Sequence, residues 1–290
     1  MRLSPDDESW LAAAVTRFVQ REQAQGLPLI SSALSAHIHA LNPRSAMSDA
    51  TLSSSARVQL YLDAIRSLAL SYQPTLRSFA PYLVERGGAQ TLNILSVCTG
   101  FDALVELVAL TYAFGPITHY VSVELNEAAT ALNRDVCGDT GPHQCALRYL
   151  AADIRTSSWL DHAMREIDRF DLCIAFYPPI TETAYSDMRR VNPGERLSNH
   201  SDSGVVLELL SIHEHGHLKA PIGMVFYAES EAQYLEFILR VIGYDQGVDF
   251  RAESLSMTDF CEDAHGTHIA RLDALEYEII RYSACIDLQE

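Results

Sequence analysis

The sequence predicts an α/β protein, a doubly wound, seven-stranded and mostly parallel sheet with an N-terminal helical domain. Three observations predict it. Residues 1–88 carry apolar side chains at helical spacing and no strand pattern. From Thr91 the texture changes to short apolar runs separated by amphipathic stretches, as β-α units around a buried parallel sheet require. The last two runs are joined without a long helix, which predicts an antiparallel strand at one edge. Gly87-Gly88 is the expected hinge, giving a helical domain over 1–88, acting as a lid, and a sheet domain over 89–290.

In the first segment, Ser4-Pro5-Asp6-Asp7 offers an N-cap, a proline at the first helical position and acids in the first turn. Trp10, Leu11, Val15, Phe18 and Val19 follow at helical spacing, and Gly26 stops the helix. A second helix is expected over Pro28–Leu41, a third over Ser54–Tyr72 with Tyr61, Leu62, Ile65 and Leu68 on one face, and a fourth over Pro74–Arg86. Strands are expected over Leu92–Cys98, His119–Glu124, Ala146–Ala151, Asp171–Phe176, Gly223–Ala228, Val248–Glu253 and Glu276–Ile286. Helices fall between them over Asp102–Tyr112, Asn126–Arg134, Ser158–Asp168, Ser203–Glu214 and Glu231–Ile242.

Composition narrows the function. At 290 residues, 48% hydrophobic and 20% charged, the chain can bury a full core. Its 21 lysines and arginines against 38 acids leave a net charge of −17, which repels phosphate backbones and argues against nucleic acid and anionic membranes as partners. No apolar run approaches the roughly 20 residues of a membrane span, and the first residues lack a signal-peptide pattern, so a cytoplasmic protein is expected. The six cysteines show no metal spacing and read as reduced core residues. His213, His215 and His217 alternate just before and after Gly216, which fits a helix C-terminus better than a metal site, and no metal is expected.

In a doubly wound sheet ligands bind at the carboxyl ends of the strands. The first strand runs into Ser96-Val97-Cys98-Thr99-Gly100-Phe101-Asp102, where Gly100 permits a tight turn at the mouth of a helix. Glu124 ends the second strand 24 residues after Gly100. That is close to the roughly 20-residue offset at which a carboxylate clamps ribose hydroxyls. Asp153 follows the third strand, and Tyr177-Pro178-Pro179 follows the fourth.

The run from Asn93 to Ile180 resembles the S-adenosylmethionine (SAM) binding half of the class I, Rossmann-like methyltransferases, and Pro221–Asp245 looks like their fifth strand and following helix. With the helical N-terminus, the layout is similar to the enzymes that methylate amines and amides with an Asn-Pro-Pro-Tyr motif after strand four. The resemblance covers roughly two thirds of the chain. It implies SAM as cosubstrate, with Gly100 and its loop neighbours Cys98 and Thr99 under the methionine moiety and Asp102 on its α-ammonium. It further implies Glu124 on the ribose beside Leu125, Asp153 facing the adenine amino group beside Ile154, and Phe176, Tyr177 and Pro178 along the sulfonium. Ser203 lies where this fold brings a loop over the substrate and joins Tyr177 as a catalytic candidate.

The departures shape the chemistry. The family's first loop usually reads acid-x-Gly-x-Gly-x-Gly; here Ser96 stands for the acid, Cys98 for the first glycine and Asp102 for the last. Tyr177 stands where the family has Asn or Asp, and offers a ring face to a cation and a hydroxyl to an amine. Two reactions remain open. One is methyl transfer to an amine or similar nucleophile of a small molecule. The other is attack on the γ-carbon of SAM with release of methylthioadenosine, as in azetidine-2-carboxylate synthases or nicotianamine synthase-like enzymes. A binding-only member is the third reading, and a homodimer is compatible with all of them. A nicotinamide dehydrogenase is disfavoured because Gly-x-Gly-x-x-Gly is absent.

Overall fold

The computed structural model describes residues 3–25, 31–41, 53–84, 92–154, 158–178, 209, 220–226, 229–241, 248–256 and 278–286. Four helices come first: α1 (Pro5–Gln25), α2 (Ser32–Leu41), α3 (Ser54–Ser78) and α4 (Ala80–Val84). The sheet segment follows as β1 (Leu92–Val97), α5 (Ala103–Phe114), β2 (Ile117–Glu124), α6 (Glu127–Cys137), β3 (Ala146–Ala151), α7 (Ser158–Ala163), β4 (Leu172–Phe176), β5 (Ile222–Phe226), α8 (Glu229–Val241), β6 (Val248–Ser256) and β7 (Glu278–Ile286). The expected helix Ser203–Glu214 lies outside the described residues apart from Leu209, as do Ser203 itself, His213, His215 and His217.

The seven strands form one sheet in the order β3-β2-β1-β4-β5-β7-β6. β1 to β5 are mutually parallel, and β7 runs antiparallel to both neighbours. The antiparallel strand is therefore not at the edge, as the sequence suggests, but slotted between β5 and β6. The nine-residue pairing from Val248↔Ile286 to Ser256↔Glu278 makes β6 and β7 a long hairpin whose returning arm docks on β5.

Strand alternation assigns each face its cover. Ile94, Ile174, Phe176, Val225 and Cys285 point to one side, where they share an apolar cluster with Leu11 and Phe18 of α1, Ile65, Leu68 and Leu76 of α3, and Leu107 of α5. Leu95, Val97, Cys173, Ala175, Ile222 and Met224 point to the other, against Trp159 of α7 and Tyr234, Leu235 and Ile238 of α8. One continuous cluster thus joins the N-terminal helices to the sheet.

The third helix does not break at Tyr72 as the sequence suggests; it continues through Pro74 to Ser78. Proline there removes the N–H that would bond the carbonyl of Leu70. One residue on, the carbonyl of Ser71 accepts from the guanidinium of Arg281 on β7, which fastens this turn of the helix to the sheet. α7 ends at Ala163 rather than near Asp168, where Glu166 adopts a positive φ of 72°.

Gly223 in β5 marks the closest approach of helix layer and sheet: a Cβ there would stand 2.5 Å from Cε2 of the buried Phe79. Gly223→Ala is expected to cost about 1–3 kcal/mol by overpacking. The loss should shrink in the Gly223→Ala, Phe79→Leu double variant relative to the sum of the single changes, which denaturant titrations of the three variants would check.

Candidate functional site: the β1/β4 crevice

Between β1 and β4 the sheet changes its direction of growth, with β2 and β3 on one side and β5 on the other. Such a boundary, at the carboxyl ends of the two strands, is where open α/β sheets form a crevice and usually bind their ligand. Both strands end alike. The N–H of Cys98 continues the ladder to Val123 O at 3.0 Å and that of Tyr177 to Val225 O at 2.9 Å. Each residue then turns its chain outward in the left-handed region, with φ of 59° at Cys98 and 53° at Tyr177.

A side chain bearing Cβ occupies that region at a cost of about 1–2 kcal/mol, less for Asn or Asp. The peptide before Pro178 is trans.

Gly100, with φ of 55°, anchors the loop after β1. Its N–H donates to Glu124 Oε2 at 2.8 Å, and its carbonyl accepts from Asn133 Nδ2 at 2.8 Å. The other carboxylate oxygen of Glu124 accepts from the N–H of Asn126 at 2.9 Å. Glu124 thus ties the loops after β1 and β2 together while leaving about two of its roughly four lone-pair sites for other donors. Leu125, next along, is 62% exposed and offers an apolar surface beside that carboxylate.

Below the loop lies a polar network. Ser96 Oγ and Tyr120 Oη each donate to Glu106 Oε2 at 2.6 Å, and Thr99 Oγ1 accepts from Ser122 Oγ at 2.8 Å and lies 3.1 Å from Ser96 Oγ. Glu106 is fully buried, and its Oε1 has no partner among the described residues. Burial pushes its carboxyl up to about 8, against the opposing pull of the Ser96 and Tyr120 hydroxyls. Asp102, at the start of α5, is raised to about 6 by burial, with the Ser31 hydroxyl opposing. The Cys98 thiol is pushed up to about 12 by burial first and by the nearby carboxylates second, so it is not a nucleophile at neutral pH.

On the β4 side, Phe176 and Tyr177 meet Tyr72 of α3. The Tyr72 and Phe176 rings stand edge to face at 4.8 Å, and Tyr72 Oη donates to Tyr177 Oη at 2.9 Å. Burial raises the pKa of both tyrosines. Both hydroxyls stay protonated.

Of the residues singled out in the sequence, Cys98, Thr99, Gly100 and Glu124 come together around one hydrogen-bonded turn, and Phe176, Tyr177 and Pro178 border it across the β1/β4 boundary. Asp153 is half-buried beyond β3, and Ile154 beside it packs into the second apolar cluster. Sequence reasoning missed Tyr72, which figured only as the end of the third expected helix, and Arg281. It also missed Glu106, although a lone acid inside the otherwise apolar Ala103–Phe114 was a usable signal. Among the described residues no group of three or more His, Cys, Asp or Glu could hold a metal ion, and no helix is long and apolar enough to cross a membrane.

No protein-family model and no curated protein matches the chain. Solved structures similar to it include magnesium protoporphyrin IX methyltransferase from Synechocystis PCC 6803 with bound SAM, at 13% identity and a TM-score of 0.37, covering 77% of this chain and 83% of that one. The N-terminal domain of human METTL16 is similar at 11% identity and a TM-score of 0.43, covering 78% and 82%. A candidate RNA methyltransferase from Pyrococcus horikoshii is similar at 11% and 0.40, covering 90% and 100%. At these values they carry no argument about the chemistry of the crevice, which rests on this chain's own residues.

Proposed function

We propose that the protein is a SAM-dependent transferase that moves the methyl group of SAM to an amine of a small molecule. One observation carries the reading: Glu124 joins the loops after β1 and β2 beside the sheet's switch point with two acceptor sites still available, the arrangement a ribose diol needs. The rest of the crevice fits the group. Leu125 offers a face to the adenine, Asp153 an acceptor to its amino group, and Asp102 a carboxylate to the α-ammonium.

Bound SAM supplies an electrophilic methyl group on a sulfonium, so the protein's task is to bind, orient and exclude water. The ring of Tyr177 supports the cation, worth about 0.5–2 kcal/mol depending on desolvation. Because Tyr72 and Arg281 both donate to Tyr177 Oη, its two lone pairs are taken and its proton is directed away from them, where it can donate to an acceptor atom of the incoming substrate and position it. A net charge of −17 supports a small substrate over RNA.

One observation favours attack on the γ-carbon as the second reading: Ser96, in the place of the family's strand-end acid, is buried and bonded to Glu106, so the methionine tail meets no carboxylate there. Incubation with SAM alone separates the two. S-adenosylhomocysteine formed only after an amine is added means methyl transfer, and methylthioadenosine above the spontaneous background means γ-carbon attack. Tyr177→Phe is expected to keep SAM affinity and lose turnover about 10-fold or more, while Tyr177→Ala loses both. Wild-type kinetics in both variants would remove Tyr177 from the site.

A further inference from the structure

Arg281 is buried to 3% exposure, yet among the described residues no carboxylate stands within 4 Å of its guanidinium. Its neighbour Tyr282 pairs with Phe226, the last residue of β5, so Arg281 sits just past the carboxyl end of β5, on the edge of the sheet where Tyr177 leaves β4. It shares a face of β7 with Ser283 and Cys285, the face that α3 covers. The guanidinium donates to the carbonyl of Ser71 and, at 3.0 Å, to its hydroxyl, and its carbon lies 4.1 Å from the centroid of the Tyr72 ring. It also bonds the Tyr177 hydroxyl.

None of these partners is an anion. Glu253, the cross-strand neighbour of Arg281, accepts instead from Thr75 Oγ1 at 2.6 Å. The Nε–H of Arg281 is buried without a partner among the described residues. Fastening α3 to β7 through the Ser71 carbonyl requires one donor, which a neutral side chain could supply. A permanent cation with an unpartnered Nε–H, held against two tyrosines in an apolar setting, is costly unless an anion joins it. Arginine's planar fork matches a carboxylate in two parallel hydrogen bonds. Asp102 stands at the N-cap of α5, just after β1, and Arg281 against Tyr72, just past β5, so an acid and a cation lie at the same carboxyl-end edge of the sheet on either side of β4.

We infer that Arg281 anchors a ligand carboxylate and that Asp102 takes the ammonium accompanying it, which makes the ligand's head group an α-amino acid. The inference deepens the SAM reading and rests on it for its setting. Two sources share this chemistry: the methionine tail of SAM itself, and an amino acid that accepts the transferred group.

The test uses the full chain and its Arg281→Lys variant, which keeps the charge and a donor for Ser71 but loses the fork. The probes are S-adenosylhomocysteine, its methyl ester, methylthioadenosine, and a panel of amino acids at millimolar concentration with and without nucleoside. If the tail is anchored, wild type binds S-adenosylhomocysteine about 10–100-fold more tightly than the ester. Arg281→Lys then loses that preference while binding methylthioadenosine as wild type does. If the acceptor is anchored, the ester binds normally, and an amino acid raises the melting temperature of wild type but not of Arg281→Lys. An amino acid doing so in a protein that binds no nucleoside would uphold Arg281 and sink the SAM reading. Equal affinity for acid and ester, with no response to any amino acid, overturns the inference and leaves Arg281 a cap on Ser71. Those measurements need wild type only, so they decide the matter even if the variant does not fold.

Discussion

Between pH 4.5 and pH 8 the unfolding free energy of the wild-type chain is expected to fall, and in Glu106→Gln to fall much less. The sign follows from burial. The Glu106 carboxyl is raised from 4.5 to about 8, so across that window the folded state holds a proton that the unfolded state has released. Stability then declines with rising pH, because the unfolded state binds fewer protons. The contribution is intact below pH 4.5 and fully lost above pH 8. At 1.36 kcal/mol per unit the difference is on the order of 3–5 kcal/mol. Asp102, raised to about 6, adds a smaller decline of the same sign. Glutamine keeps an acceptor for Ser96 and Tyr120 and cannot ionise. Denaturant melts at several pH values should show the two proteins alike near pH 4.5 and Glu106→Gln the more stable at pH 8.5. Parallel curves would mean that Glu106 ionises in place without penalty.

Glu124→Ala is expected to act twice. Without ligand it leaves the half-buried N–H of Gly100 unbonded and costs about 1.5–3 kcal/mol, the scale for a hydrogen bond to a charged group. The Asn126 N–H is exposed and finds water. With ligand, loss of both ribose acceptors weakens methylthioadenosine about 10–100-fold. Since methylthioadenosine lacks the amino-acid tail, its titration isolates this effect from anything Arg281 or Asp102 does. A variant that is destabilised yet binds methylthioadenosine normally would make Glu124 a loop tie alone.

The first five strands and their parallel arrangement were legible because each apolar run is short, punctuated and followed by a helix, a pattern that a parallel sheet imposes. Where β7 inserts was not, since a hairpin with β6 reads the same whether it docks by one arm or the other; the docking is decided by Ala284 and Ile286 packing against the β5 face. Pro74 misled because local propensity ends a helix before proline, while tertiary packing carries α3 through it, with Arg281, 210 residues away in sequence from Ser71, fastening that turn to β7. The candidate site was half legible. Strand-end residues such as Gly100 and Glu124 announce themselves by position, and their mutual hydrogen bond spans only 24 residues. Tyr72 and Arg281 do not, because their significance lies in which face of α3 meets which face of β7. The left-handed conformations of Cys98 and Tyr177 were hidden too, since neither residue type asks for them.

Whether the β1/β4 crevice is a SAM site is decided by calorimetric titration of the wild-type chain with S-adenosylhomocysteine and methylthioadenosine. Saturable binding of both at one site is expected, with a rise in melting temperature that grows with ligand concentration and no response to NADH. Absence of heat and of any thermal shift with SAM, S-adenosylhomocysteine and methylthioadenosine at millimolar concentration would contradict a SAM site there.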